Sequence, residues 1–127
     1  MKMTWLGHSA FRIETAGKVL LIDPFITGNS RFQGSKESAT EGCTHIILSH
    51  GHDDHVGDTV EIAKRTGATL IGPFELCEYL NGKGVENIDP ANPGGTVYHD
   101  GFDVTLVKAF HSSSTMVDGV PVYLGSP

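Results

Sequence analysis

The sequence is poor in several features that would point to a compartment or a partner. Only two cysteines, Cys43 and Cys77, occur in 127 residues, and no Cys-x-x-Cys pair or Cys/His finger spacing is present. That excludes a disulfide framework and leaves two buried free thiols as the expectation. No apolar run approaches the roughly 18 residues that a membrane-spanning helix needs. The opening residues, Met1-Lys2-Met3-Thr4-Trp5-Leu6-Gly7, lack the apolar core and small-residue cleavage site of a secretory leader, so a cytoplasmic chain is expected. Positive charge is scarce, with 9 Lys and Arg against 15 Asp and Glu and a net charge of -6. A nucleic-acid backbone needs a basic surface, preferably interleaved with aromatics, and this balance argues against such a partner. Repeats and low-complexity tracts are also missing.

What remains is an ordinary globular composition, 39% hydrophobic and 19% charged, in a length suited to one domain with a real core. Alternation at Phe11 and Ile13, a turn at Thr15–Lys18 and the apolar run Val19–Ile22 predict a β-hairpin over Ala10–Asp23, closed by Pro24. Pro24–Gly42 is long and polar, and either rims a site or carries a short helix. Thr44–Ser49 reads as a buried strand. Asp58, with Glu61 three residues on, predicts a capping box for a helix that ends near Thr66. Ala68–Gly72 predicts a strand and Pro73 a second helix to Leu80. Val85–Ile88 suggests a short strand, Asp89–Gly95 a loop, and Thr96–His99 with Phe102–Phe110 a hairpin across Asp100-Gly101. Val120–Leu124 predicts a last strand. The pattern indicates an α/β class, an α+β sandwich in which a mixed sheet carries helices on one face.

The densest chemistry lies in Ser49-His50-Gly51-His52-Asp53-Asp54-His55-Val56-Gly57-Asp58, straight after the apolar Ile46-Ile47-Leu48. His50 and His52 are two residues apart, so in an extended segment both imidazoles project to one side. Asp54 and His55 follow in the turn into the helix and diverge toward a second point. Four such donors serve one or two divalent cations, and imidazole with carboxylate suits zinc, manganese or iron. Shuffling the same residues produces H-x-H-x-D-H in roughly 1 of 1,000 sequences, which weighs against the alternative of a solvated polar turn. For Asp58 alone a capping role suffices. His45 and His99 stand outside the pattern and read as structural or surface residues.

At these residues the sequence resembles the metallo-β-lactamase fold superfamily, whose signature is H-x-H-x-D-H. Gly7-His8-Ser9-Ala10-Phe11, Leu21-Ile22-Asp23-Pro24-Phe25 and Ser49–Asp58 look like its cytoplasmic branch of metal-dependent hydrolases, related to L-ascorbate-6-phosphate lactonases. The resemblance implies that His50, His52 and a later strand-end histidine, matched by His111, bind a first metal. It implies that Asp54 and His55 bind a second, with Asp54 also orienting an attacking water. His8, in the family's opening Gly-His-Ser motif, either faces substrate or the metal pocket or is a hydrogen-bonded structural histidine. Asp23 either orients a ligand histidine from behind or serves the Asp23-Pro24 turn. The serines after His111 lack a Gly-x-Ser-x-Gly context, which argues against a serine nucleophile.

The family fold is an αββα sandwich of two similar halves, and residues 1–127 look like the N-terminal half, a single domain truncated within the fold. The aspartate that bridges both metals and the final histidine belong to the other half. Here Asp118 sits in a Val-Asp-Gly turn and no histidine follows His111. The implied activity is hydrolysis of an ester, lactone, amide or phosphoester in a small-molecule substrate by a metal-activated water. The alternative is a non-catalytic, metal-binding half-domain that self-associates. A homodimer, in which a copy stands in for the other half, is the expected assembly.

Overall fold

The structure, a computed structural model, describes residues 1–127. Its centre is a six-stranded sheet in the order β1-β2-β3-β4-β5-β6. Strands β1 (Lys2–Trp5), β2 (Phe11–Thr15) and β3 (Lys18–Ile22) run antiparallel, with Phe11 paired to Ile22 and Met3 to Ile13. β3, β4 (His45–Ile47), β5 (Thr69–Pro73) and β6 (Ile88–Ala91) are parallel neighbours, so the sheet is mixed as expected.

Period-two alternation gives this sheet two different faces. Leu21, Ile46 and Leu70 are register neighbours, each fully buried. They share one core with Ile62 and Ala63 of helix α3 (Thr59–Thr66) and with Leu76, Cys77 and Leu80 of helix α4 (Phe74–Asn81). Burial of each such aliphatic side chain stabilises the fold by about 1.5–3 kcal/mol. Helix α1 (Lys36–Thr40), capped by Ser35, lies within the long polar connection and adds Ala39 to the same side. The helices therefore cover one face. The row Ile22, Ile47 and Ile71 points the other way. There a hairpin of β7 (Thr96–His99) and β8 (Phe102–Thr105) comes over the sheet, leaving a cleft of about 430 Å³ lined by Ile22, Ile47, Leu48, Val104 and Leu106. No helix is long and apolar enough to cross a membrane.

Several sequence expectations change. Lys2–Trp5 forms an additional strand, which makes Gly7-His8-Ser9 a loop between β1 and β2. β6 occupies Ile88–Ala91, where a short strand over Val85–Ile88 and then a loop were expected. It is an edge strand with only β5 beside it, and this lets Pro90 sit opposite Gly72 without the loss of a second ladder. β8 stops at Thr105 rather than Phe110, because its partner strand begins only at Thr96, after the Asn92–Gly95 turn. His111 therefore closes an irregular segment, not a strand. Ser114–Val117 is a further strand, β9, paired with β10 (Val120–Tyr123) across Asp118-Gly119.

Asp58 is the residue preceding α3, but its carboxylate makes no cap bond. It accepts the backbone N–H groups of Ile26 and Thr27 and the Thr27 hydroxyl, with Lys36 Nζ 3.4 Å away. Glu61 pairs with Lys36 instead of completing a capping box. Charge-assisted bonds to the 24–27 turn win over a cap bond, because a carboxylate this buried needs several donors.

Candidate metal centre

β4 ends at Ile47, and Leu48 continues its path with an N–H bond to the Ile71 carbonyl, which delivers Ser49 and His50 to the end of the sheet. His52 then precedes the single turn α2 (Asp53–Val56), which carries Asp54 and His55. Gly57 brings the chain back against the Pro24-Phe25 backbone. A Cβ there would lie 2.6 Å from the Pro24 carbonyl oxygen, so only glycine admits this crossing.

The donors gather in two groups. His50, His52 and His111 place one ligand atom each within 4.8 Å of one another, and so do His8, Asp54 and His55. The groups share a wall, since the rings of His50 and His55 lie 4.1 Å apart between centroids. His111 reaches His50 and His52 at 4.6 and 5.0 Å although it sits exposed after an irregular segment. The four cluster residues and His111 thus come together, and His8 joins Asp54 with His8 Nε2 3.3 Å from Asp54 Oδ2.

Asp23 lies behind both groups. Its Oδ2 is 2.8 Å from His55 Nδ1 and 2.6 Å from the Ser49 hydroxyl, and its Oδ1 accepts the Ser49 N–H. Ser49 Oγ is in turn 2.9 Å from His50 Nδ1. The single hydroxyl proton goes to the carboxylate, so Ser49 accepts from His50 Nδ1–H. The network thereby assigns Nδ1–H tautomers to His50 and His55 and leaves both Nε2 lone pairs open toward the donor groups. His111 is oriented similarly, its Nδ1 2.7 Å from the Ser112 carbonyl. Ser49 in this relay was not anticipated from the sequence. Its place directly between the strand and His50 is the one signal that could have marked it. Ser112 and Ser113, which the sequence argues against as nucleophiles, instead serve as hydrogen-bonding partners. Ser112 Oγ meets His52 Nε2 at 3.2 Å, and Ser113 accepts the Gly51 N–H.

The electrostatics suit cations. Burial, then the neighbouring rings of His55, His52 and His111, push the His50 imidazole down to about 4, so it stays neutral at physiological pH despite the opposing pull of Asp23. His50 Nε2 and His52 Nδ1 face each other at 3.1 Å. Three imidazoles converging on one point, one of them buried and held neutral, with no carboxylate among them, fit a shared divalent cation better than mutual hydrogen bonding.

His45 and His99 stand away from this centre, on β4 and β7. Their rings are 4.8 Å apart, and Phe102 stacks flat on His99. His99 Nε2 is 3.1 Å from Asp89, at an angle that makes no hydrogen bond. The pair packs the β7–β8 hairpin onto the sheet, a structural role as read from the sequence.

Comparison with known proteins agrees with this architecture. Over its whole length the chain is 56% identical to a protein named UPF0173 metal-dependent hydrolase from Methylocella silvestris, covering 55% of it. A protein of the same name from Brucella anthropi is also 56% identical, with 100% of this chain and 55% of that one aligned. The chain thus spans about half the length of the curated relatives it matches. Among solved structures, Igni18, described as a novel metallo hydrolase from the hyperthermophilic archaeon Ignicoccus hospitalis, superposes with a TM-score of 0.80 at 32% identity, over 98% of this chain and 59% of that one. Residues 3–119 match the family model described as metallo-beta-lactamase superfamily. A mixed sheet that carries H-x-H-x-D-H from its β4 end into a one-turn helix is thereby accounted for: the chain belongs to the metallo-beta-lactamase superfamily.

Proposed function

We propose that this chain carries the metal-binding part of a hydrolase that cleaves an ester, lactone, amide or phosphoester bond in a small-molecule substrate. The observation that carries the reading is the convergence of His50, His52 and His111 within 4.8 Å, beside a second group that contains Asp54 and His55. In this reading the first three hold one divalent cation, and Asp54 and His55 belong to a second position. Zinc suits the imidazole-rich first position, with manganese or iron as alternatives where carboxylate enters. A bound divalent cation supplies Lewis acidity, polarising the scissile oxygen and lowering the pKa of a coordinated water.

The protein's own groups do the rest. Asp23, through Ser49 and directly, keeps the Nε2 lone pairs of His50 and His55 aimed inward. Asp54 is half exposed, so its carboxylate can accept a proton from an attacking water and orient it. The cleft under the β7–β8 hairpin reaches His50 and His111, and its walls at Ile22, Ile47, Val104 and Leu106 exclude water from an apolar substrate group. We place the protein in the cytoplasm, where its buried Cys43 and Cys77 stay reduced.

A second reading is a metal-holding module that self-associates without turnover. The exposure of Val107 and Phe110 beside the cleft favours a covering copy of the chain. One experiment separates the two. Cation content after dialysis is measured together with turnover of a lactone and a chromogenic phosphodiester, and light scattering reports the assembly. Bound cation with turnover that His52→Ala abolishes supports the hydrolase. Cation bound without turnover under zinc, manganese or iron, in a dimer, supports the module.

A further inference from the structure

His111 reaches the metal centre from the least regular part of the chain. β8 ends at Thr105 and β9 begins at Ser114, and the segment between them has no regular structure. His111 is exposed, and its ring bonds only to the carbonyl of its neighbour Ser112. Neither fact accounts for a ring that stands 4.6 Å from His50 and 5.0 Å from His52 between centroids. The residues that follow it do. Three hydroxyls tie 112–115 to 51–53. Ser112 Oγ lies 3.2 Å from His52 Nε2, Ser113 Oγ accepts the Gly51 N–H at 3.0 Å, and Thr115 Oγ1 donates to Asp53 Oδ1 at 2.7 Å. No backbone–backbone hydrogen bond joins the two stretches.

Ser113 is the buried member of this set. It is 2% exposed, its hydroxyl also lies 3.4 Å from the Leu124 carbonyl, and its own carbonyl accepts the Leu124 N–H at 2.9 Å. Leu124 is equally buried and presses on Gly51, where a Cβ would meet Leu124 Cδ1 at 2.6 Å. The H-x-H loop therefore rests on Ser113 and Leu124, and the serine hydroxyl satisfies the buried Gly51 N–H. We infer that Ser113 is a positioning residue of the first metal position. By holding the Gly51 N–H, between His50 and His52, it sets His111, two residues before it, in register with both. The inference rests on the metal-dependent reading above and deepens it. A donor on an irregular segment loses conformational freedom when it binds, and that loss weakens binding unless the folded protein has ordered the segment beforehand. The bond from Gly51 to Ser113 supplies that order. Thr115 adds a second tie through Asp53, which belongs to neither donor group. None of the three ties reaches His8, Asp54 or His55, so the second group does not depend on them.

The test uses the 127-residue protein and cobalt(II), with affinity from competition against a chromophoric chelator and the donor set from visible absorption. The cobalt that His52→Ala abolishes marks the first position. Ser113→Ala should weaken that cobalt by roughly 10–100-fold and reduce its visible band, while any cobalt in the second position keeps its affinity. His111→Ala should weaken the first position as well. The double variant should be no weaker than His111→Ala alone, because Ser113 acts through His111. A serine that only stabilised the fold would lower the metal-free melting temperature without this non-additivity. If Ser113→Ala binds cobalt as the unchanged protein does, or if the two losses add in full, Ser113 does not position His111, while the metal-dependent reading stands. If the loss falls equally on both positions, the inference also falls alone. If the unchanged protein takes up no cobalt, or His52→Ala abolishes none of it, both fall. Should Ser113→Ala melt early, the isosteric Thr115→Val repeats the cycle with His111→Ala. A several-fold loss that disappears in the His111→Ala background is then expected, and no loss or full additivity overturns the inference.

Discussion

Asp23 Oδ2 lies 2.8 Å from His55 Nδ1, and the same oxygen receives the Ser49 hydroxyl that orients His50. One buried carboxylate, itself at φ +42°, therefore sets the tautomers of a histidine in each donor group. Asp23→Asn keeps the shape and tolerates the left-handed backbone, but removes the charge and one acceptor. Metal affinity in the first and second positions should fall together, each by about 10–100-fold. Competitive titration with a chromophoric chelator measures this. A loss confined to one position would contradict the shared role.

Ser49→Ala separates the two arms. It removes the link from Asp23 to His50 Nδ1 and leaves the direct bond to His55 in place. Affinity should fall in the first position and hold in the second, read by the same titration.

Acid should destabilise the metal-free protein through His50. Its folded pKa of about 4 lies below the ordinary histidine value near 6.5. Between these two values the unfolded chain binds a proton that the folded chain does not. Stability is therefore highest above pH 6.5 and declines as pH falls toward 4. Urea midpoints measured across that window in the presence of a chelator should shift downward. His50→Gln should flatten the decline.

Asp58 ties the start of α3 to the 24–27 turn. Burial opposes its charge, but donors from Thr27 and Ile26, with Lys36 nearby, hold its carboxyl below the usual range. Asp58→Ala leaves the Ile26 and Thr27 N–H groups without that acceptor, and the loss should be about 2–4 kcal/mol. Asp58→Asn should cost less. Denaturant unfolding gives both values, and equal small losses would show that the turn holds without this carboxylate.

Burial raises the thiol of Cys43 to about 11 and that of Cys77 to about 12. Neither forms much thiolate at neutral pH. A maleimide or iodoacetamide should label the folded protein negligibly over the period in which it labels the unfolded chain fully, and intact mass reads this directly.

The local features of this protein are legible from neighbouring residues. Alternation in Phe11–Glu14 and the apolar run to Ile22 announce the β2–β3 hairpin. His50 and His52 share a side because they are two residues apart in an extended segment. Asp58 and Pro73 directly precede α3 and α4, and Gly67 and Gly82 directly follow them. Where the structure departs from these local signals, the deciding group lies on another element. Pro90 joins a strand because its edge position spares a second ladder, and Thr105 ends β8 because β7 offers no further partner. Asp58 gives up its cap for donors some thirty residues earlier.

The candidate site divides along the same line. Residue type and spacing alone single out His50, His52, Asp54 and His55 as candidate donors. Only the tertiary structure decided what stands around them. It puts Asp23, twenty-six residues before Ser49, behind two of the histidines, and it brings His111 in from an irregular segment. It also turns His8 toward Asp54 across forty-six positions. The physical reason is that ligand geometry depends on separations of a few ångströms. Those separations are set when the strand ends of one sheet are packed side by side, and no local pattern in the chain encodes them.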